Sequence, residues 1–114
     1  MNPWGAAKTV EQQAFATVGV FQITQEVALE LVRDPTLPSE LRLAIQRSEN
    51  VAYPAVRAVL EGVLAVERTR RGIVAGSSTQ EDVEAALEQL GILVNEAKPQ
   101  ISAFIEAVSK GGKR

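Results

Sequence analysis

The fold of this chain follows from residues 37–71, which read LPSELRLAIQRSENVAYPAVRAVLEGVLAVERTRR. Apolar residues recur here every three or four positions, the period of one face of an α-helix. The stripe consists of Leu41, Ile45, Ser48, Ala52, Ala55, Val56, Val59, Val63 and Val66. Pro54 lies in the middle, and the stripe keeps its phase across it. We therefore predict one helix over 37–71, about 50 Å long, that is kinked at Pro54 rather than ended there.

Residues typical of helix ends lie on both sides of this segment. Thr36 is the predicted N-cap and Pro38 fits the first turn, where a missing N–H costs nothing. Gly72 is the predicted end, followed by a loop over 72–78, GIVAGSS. Ser78 and Glu81 have the spacing of a capping box, which predicts the start of the third helix.

The third helix carries its own stripe in constant phase, and Pro99 lies within it as Pro54 lies within helix two. The stripe consists of Val83, Leu87, Leu90, Val94, Ala97, Ile101, Ile105 and Val108. We expect a second kink at Pro99, and a flexible tail over 110–114, where two glycines precede the last residues.

The first helix is predicted from Val10 to Arg33, with a Thr9/Gln12 capping box and a stop at Asp34-Pro35. Its expected core face consists of Val10, Ala14, Phe21, Ala28 and Val32, widened by Val20, Val27 and Leu31. Together these segments predict an all-α, up-down-up three-helix bundle with long, proline-kinked helices 2 and 3. We expect one domain over 1–114, with an N-terminal arm at 1–8.

Composition narrows the chemistry of this chain. It has no histidine and no cysteine, 46% hydrophobic residues and a net charge of −2. The commonest general base, metal ligand and thiol nucleophile are therefore missing. Glu26 and Glu30 lie four residues apart, as do Glu84 and Glu88. A di-metal helical bundle would also need histidine ligands, which this chain does not have, so these glutamates are interpreted as surface residues. We expect no enzyme activity, no cofactor, no metal site and no nucleic-acid partner.

Several side chains do not fit the core stripes and are candidate contacts for a protein partner, either a second copy or another chain. They are Trp4 in the N-terminal arm, Phe15, Val18 and Leu29 on helix one, and Tyr53, Leu60 and Leu64 on helix two. Three helices can cover one such strip but not both, which leaves an apolar patch. Arg68, Arg70 and Arg71 are a weaker candidate, either an anion contact or charges that complement a helix end.

The sequence does not decide the cellular compartment of the protein. No run approaches the ~18–20 apolar residues of a membrane span, and residues 1–5 lack the features of a signal peptide. As written, the chain is expected in the cytoplasm or in a virion. It would be periplasmic or envelope-bound if Met1 replaces a processed N-terminus. Trp4 has two interpretations: it folds back and covers one end of the bundle, or it anchors the arm on a protein partner or a membrane surface.

Three segments resemble a group of known sequences. They are QITQEVALELV from Gln22, DPTLP from Asp34 and IQRSENVAYPA from Ile45. They look like small helical proteins of phage and proteobacterial genomes, several of them predicted lipoproteins with a processed cysteine where this chain has Met1. The resemblance implies a phage or envelope context and no catalytic residues. The first functional hypothesis is a non-enzymatic structural or interaction protein, phage- or envelope-associated, that acts through its helix surfaces and self-associates. The second is a cytosolic regulatory or adaptor module that binds one protein partner through the strip of Phe15, Val18 and Leu29.

Overall fold

The described part of the chain forms three α-helices: α1 Val10–Arg33, α2 Ser39–Ala75 and α3 Gln80–Gly112. The computed structural model describes residues 4–5 and 9–113, and no strand occurs among them. Each helix contacts the other two, and the principal extents of the bundle are 58 × 22 × 17 Å. The predicted all-α bundle of three helices is confirmed.

The predicted bounds of α1 are confirmed at both ends. The Thr9 hydroxyl accepts a hydrogen bond from the Gln12 amide at 3.1 Å, and the Gln12 side chain accepts one from the Thr9 amide at 3.2 Å. This capping box satisfies two of the backbone donors that a helix start leaves unpaired. At the other end, Asp34 has extended backbone angles, as expected for a residue before proline.

Both ends of α2 differ from their prediction. The helix begins at Ser39 with Pro38 at the N-cap, not Thr36. Thr36 instead belongs to a turn in which its amide and hydroxyl both donate to Asp34 Oδ1, at 2.9 and 2.7 Å. Gly72 does not end the helix, which continues to Ala75. Gly76 ends it in the left-handed conformation, with φ +81°.

The limits of α3 also lie later than predicted. Its capping box is formed by Thr79 and Asp82 rather than by Ser78 and Glu81. At the carboxyl end, the segment expected to be a tail is helical to Gly112. Gly111 is buried, and a Cβ there would lie 3.1 Å from Ile45 Cδ1. Close packing at Gly111 therefore extends the helix; Arg114 lies outside the described residues.

The two internal prolines lie within uninterrupted helices, Pro54 in α2 and Pro99 in α3. No loop separates the halves of either helix, as the constant phase of the two stripes predicted. Both proline side chains are exposed. Because each ring faces away from the core, it displaces no packed neighbour.

The core is aliphatic with an aromatic centre. Its largest fully buried side chains include Phe104, Ile45, Leu90, Ile101 and Val59. The rings of Phe21 and Phe104 pack with centroids 5.5 Å apart. Phe104 was absent from the predicted α3 stripe, which had Ile105 instead; Ile105 is half-buried.

The core face of α1 agrees with its prediction at Ala14, Phe21 and Ala28 and differs from it at three other positions. Val27, expected to widen that face, is 43% exposed, whereas Thr17 and Thr24 are buried. The threonine hydroxyls donate to the carbonyl oxygens of Gln13 and Val20, both at 2.7 Å. These bonds remove the cost of burying a hydroxyl, so threonine can take a core position.

Candidate interaction surface between α1 and α2

The candidate strips on α1 and α2 face each other across an open groove. Among the predicted contact residues, five are 45% to 59% exposed: Phe15, Leu29, Tyr53, Leu60 and Leu64. Val18 is half-buried and packs against the core. No helix in the described part of the chain covers either strip, so an apolar surface is left there as the sequence predicts.

The groove has two adjoining parts. The first, about 470 Å³, lies between Val18 on α1 and Tyr53 and Leu60 on α2, with buried Phe21 and Val56 at its base. It therefore brings three of the predicted contact residues together. The Tyr53 ring also lies 6.4 Å from the Phe21 ring between centroids, which anchors this rim to the core.

The second part is larger, about 810 Å³, and more polar. Leu29 and Val32 line it from α1, over buried Ala28 and Ile45. Its polar lining consists of Gln22, Gln25, Glu26, Gln46, Glu49 and Asn50. Gln22 and Gln25 line both parts, so the two form one continuous surface, which we call the α1/α2 groove.

Phe15 and Leu64 extend this surface beyond the groove itself. Phe15 precedes Val18 by three residues and Leu64 follows Leu60 by four, so each lies one helical turn further along the same face. Exposed apolar residues also occur elsewhere, the most exposed being Val74 at 92% and Ile23 at 64%. These lie outside the groove lining.

Trp4 lies apart from the groove. Its indole Nε1 donates to the Thr17 hydroxyl at 2.8 Å, and Lys98 Nζ lies 5.7 Å from the centre of its ring. Trp4 thus folds back over α1 and α3, and the indole is half-buried there. Of the remaining arm, only Gly5 lies within the described residues.

The three arginines of the predicted cluster do not converge on one site. Arg70 forms a two-pronged ion pair with Glu11 of α1, with N–O distances of 2.8 and 2.5 Å. Arg71 lies 3.8 Å from Glu67, and Arg68 is exposed. Because α2 continues to Ala75, these residues precede its last turn, which contains no basic residue. The helix-end interpretation of the cluster is therefore wrong.

The Glu11–Arg70 pair joins the start of α1 to α2, and it predicts a pH-dependent contribution to stability. The hydrogen bond from Arg70 holds the pKa of the Glu11 carboxyl below its usual value. A lowered pKa means that the pair stabilises the fold above the ordinary glutamate pKa and loses this effect as pH falls. Glu11→Gln should therefore lower the Tm at pH 7 by no more than a few degrees, because both side chains are partly exposed.

Thermal melts at pH 7 and pH 3 check this prediction. The gap between wild type and Glu11→Gln should narrow at pH 3, because stability that comes from a group with a lowered pKa is lost as pH falls. Glu84→Gln, an exposed change of the same kind on α3, serves as the control and should show a smaller gap at pH 7. A gap for Glu11→Gln that stays constant across pH would contradict the assignment.

Ligands for a metal ion do not gather anywhere in residues 4–5 and 9–113. No three acidic side chains within that part of the chain are placed to hold a metal ion. The groove instead offers apolar side chains, amides and a few opposite charges, such as Glu49 and Arg57. Helices and peptides pack on linings of this kind, in which apolar side chains lie beside amides.

The composition of α1 adds a second feature to this side of the molecule. Its most apolar 18-residue stretch has a mean hydropathy of 1.2, which is enough, with its length, for a helix that crosses a membrane. We expected no such segment from the sequence. Only 22% of that stretch is buried in the bundle. Core helices meet the same criterion, and α1 contributes Ala14, Phe21 and Ala28 to the core.

Sequence reasoning missed the polar residues of the groove. The apolar stripes carry no information about Gln22, Gln25, Gln46 and Asn50, which line the groove. The spacing along α1 does carry a signal for Gln22, because Phe15, Gln22 and Leu29 recur every seven residues. A seven-residue repeat marks the seam at which helices pack along each other.

Comparisons of this chain with protein-family models, with curated proteins and with solved structures gave no match. The resemblance to small phage and lipoprotein-like proteins therefore stays a prediction. Function has to be argued from the groove and its residues.

Proposed function

We propose that this protein is a non-enzymatic structural or interaction protein that docks a helical protein surface in the α1/α2 groove. The observation that carries the proposal is a continuous groove with a buried apolar base and half-exposed apolar rims. Exposed apolar surface costs free energy in water, and its burial against a partner recovers it. The docked surface is a second copy of the chain or another protein.

The proposed bundle runs up-down-up. Short connections support this order, since 34–38 and 76–79 leave little chain between successive helices. Contacts near the helix ends support it as well. Glu11 at the start of α1 pairs with Arg70 near the end of α2, and Gly111 at the end of α3 approaches Leu31 and Ile45.

Kinks at the two prolines belong to the same proposal. Pro54 cannot donate to the carbonyl of Asn50, and Pro99 cannot donate to that of Asn95, four residues earlier in each case. A bend at these points would open each carbonyl to water. Because Asn50 also lines the groove, a bend there would set the width of its more polar part.

The absence of enzymatic chemistry is supported by the side chains rather than by the fold. A chain without histidine and cysteine has few groups that exchange protons or attack carbonyls near neutral pH. A phage or cell-envelope setting is the context we propose, on the resemblance of the segments that begin at Gln22, Asp34 and Ile45. A cytosolic adaptor that binds one partner through the same groove is the alternative.

Site-specific photo-crosslinking tests this function. A benzophenone amino acid replaces Leu60 at the groove rim or, as the matched control, Gln89, an exposed residue of α3. The labelled chains are irradiated in the cells that naturally make the protein. We expect covalent protein adducts from position 60 and none from position 89. An adduct of twice the chain mass identifies self-association, and an adduct with one other protein identifies the adaptor. Equal labelling from both positions would overturn the proposal.

A further inference from the structure

The groove side of α1 carries a heptad pattern that reads nearly the same in both directions. The residues that alternate at spacings of three and four are Phe15, Val18, Gln22, Gln25, Leu29 and Val32. Two apolar residues come first, two glutamines lie at the centre and two apolar residues follow. Such spacing is that of a coiled-coil seam, in which each residue packs between residues of a facing helix.

The opposite wall of the groove has the same repeat. On α2 the positions are Gln46, Asn50, Tyr53, Arg57, Leu60 and Leu64, again at alternating spacings of three and four. Most of these residues line the groove, and Leu64 lies one turn beyond it. Two helices thus present seam positions toward one gap, and a further helix in that gap would meet both walls.

We propose that α1 of a second copy occupies this gap, antiparallel to the first α1, in a two-fold symmetric dimer. Antiparallel pairing of the pattern sets Phe15 against Val32 of the second copy, Val18 against its Leu29, and Gln22 against its Gln25. Apolar side chains then meet apolar side chains in the outer layers. The central amides, each with a donor and an acceptor, satisfy one another and fix the register.

Charge selects the antiparallel orientation over the parallel one. Glu11 precedes Val18 by seven residues and belongs to the same seam. A parallel pair would set Glu11 against its own copy, but Arg70 of the same chain already compensates part of that charge, so the helix dipoles carry most of the preference for the antiparallel pair. An antiparallel pair moves Glu11 toward the exposed Arg33 of the second copy. It also brings the positive end of each α1 dipole to the negative end of the other.

The inference rests on the proposed use of the groove and adds its occupant. The interface is isologous, because each α1 packs between α1 and α2 of the other copy. The apolar surface of α1 then serves protein contact rather than contact with lipid. A lipid surface is kept as an outcome of the test.

Two pairs of substitutions at the central glutamines test orientation as well as association. Q22E/Q25E places like charges at the axis in either orientation. Q22E/Q25K places opposite charges together in the antiparallel dimer, but like charges together in a parallel one. Q80E/Q89E makes the same charge change as Q22E/Q25E at exposed positions of α3 and is the matched control. Circular dichroism checks that every variant is folded.

Sedimentation velocity over a range of concentrations at low salt gives the association constants. We expect wild type, Q22E/Q25K and Q80E/Q89E to dimerise, with Q22E/Q25E weakened about tenfold or more. Three results would overturn the proposal: a wild type that stays monomeric, a Q22E/Q25K chain weakened as much as Q22E/Q25E, or a dimer that Q22E/Q25E does not weaken. A monomeric wild type that binds vesicles of phosphatidylcholine and phosphatidylglycerol would assign the α1 surface to lipid instead.

The two proposals fail in different ways. A monomeric chain that still gives a groove-specific adduct with another protein removes the antiparallel dimer and leaves the docking function standing. A chain with neither an adduct at position 60 nor self-association removes both.

Discussion

Replacing Phe104 with alanine is expected to lower the free energy of unfolding by about 3–5 kcal/mol. Phe104 is 0% exposed and is among the largest fully buried side chains, and its ring packs on that of Phe21. Removing it forfeits the burial of the ring and leaves a cavity between helices that can close only in part. Because the whole stability of a small domain is about 5–15 kcal/mol, this one change would remove a large share of it.

Phe15→Ala is the matched control for this experiment. Both residues lie in helices and undergo the same exchange, so the difference in helix propensity cancels. Phe15 is 59% exposed, and we expect its loss to change the stability by about 1 kcal/mol or less. Urea denaturation followed by circular dichroism measures both variants, at a concentration low enough for the monomer to dominate. Equal losses for the two variants would contradict the assignment of the core.

The sequence predicts helices well wherever a long stripe keeps its phase, because the stripe reports the direction in which each helix is covered. It predicts helix ends less well. Thr36, Gly72 and Ser78 all carry the right chemistry for an end, yet the ends lie elsewhere. Gly72 and Ser78 have nearby competitors of the same kind, Gly76 and Thr79, whereas the N-cap expected at Thr36 lies at Pro38, whose side chain makes no capping hydrogen bond. Which of two adjacent signals is used depends on packing, as with Gly72, where a Cβ would overlap the Ser78 side chain.

Which side chains at the edge of a stripe are buried also depends on the neighbouring helices. Phe104 and Ile105 lie on opposite flanks of the α3 stripe, at similar angles from its centre. Phe21 of α1 covers the flank of Phe104, so that ring is buried and Ile105 is only half-buried. On α1, Val27 is apolar and exposed whereas Thr24 is polar and buried. Periodicity alone cannot decide between flanks, because the decision belongs to another helix.

The candidate surface could be predicted only in part, because periodicity describes each helix alone and not how two helices pack. Phe15, Leu29, Tyr53, Leu60 and Leu64 fall outside their core stripes, and periodicity identifies such residues directly. That the two strips border one groove depends on how α1 and α2 pack, which the sequence does not specify. The arginine cluster shows that residues close in sequence need not belong to one site. Arg70 and Arg71 are neighbours in sequence, but they pair with glutamates on different helices.

A carboxylate at position 59 should have a larger effect than any substitution on the groove. Val59 is 0% exposed in the middle of α2. Val59→Asp would bury a charge without a partner, and we expect a loss of about 4 kcal/mol or more at pH 7. Burial raises the pKa of such a carboxyl, so the folded variant holds a proton more tightly than the unfolded chain does. The loss should therefore be smaller at pH 4 than at pH 7, which urea denaturation at the two pH values measures.

Leu60→Asp, one residue further along α2, is the matched control and is also a test of the groove. Position 60 lies about 100° around the helix from position 59, and Leu60 is 45% exposed at the groove rim. Its carboxylate stays in water, so we expect a helical spectrum like that of wild type and a stability within about 1 kcal/mol of it. The same charge should weaken association through the groove, because docking would bury it without a partner. A Leu60→Asp chain as unstable as Val59→Asp would mean that this flank of α2 belongs to the closed core, and that no groove is open there.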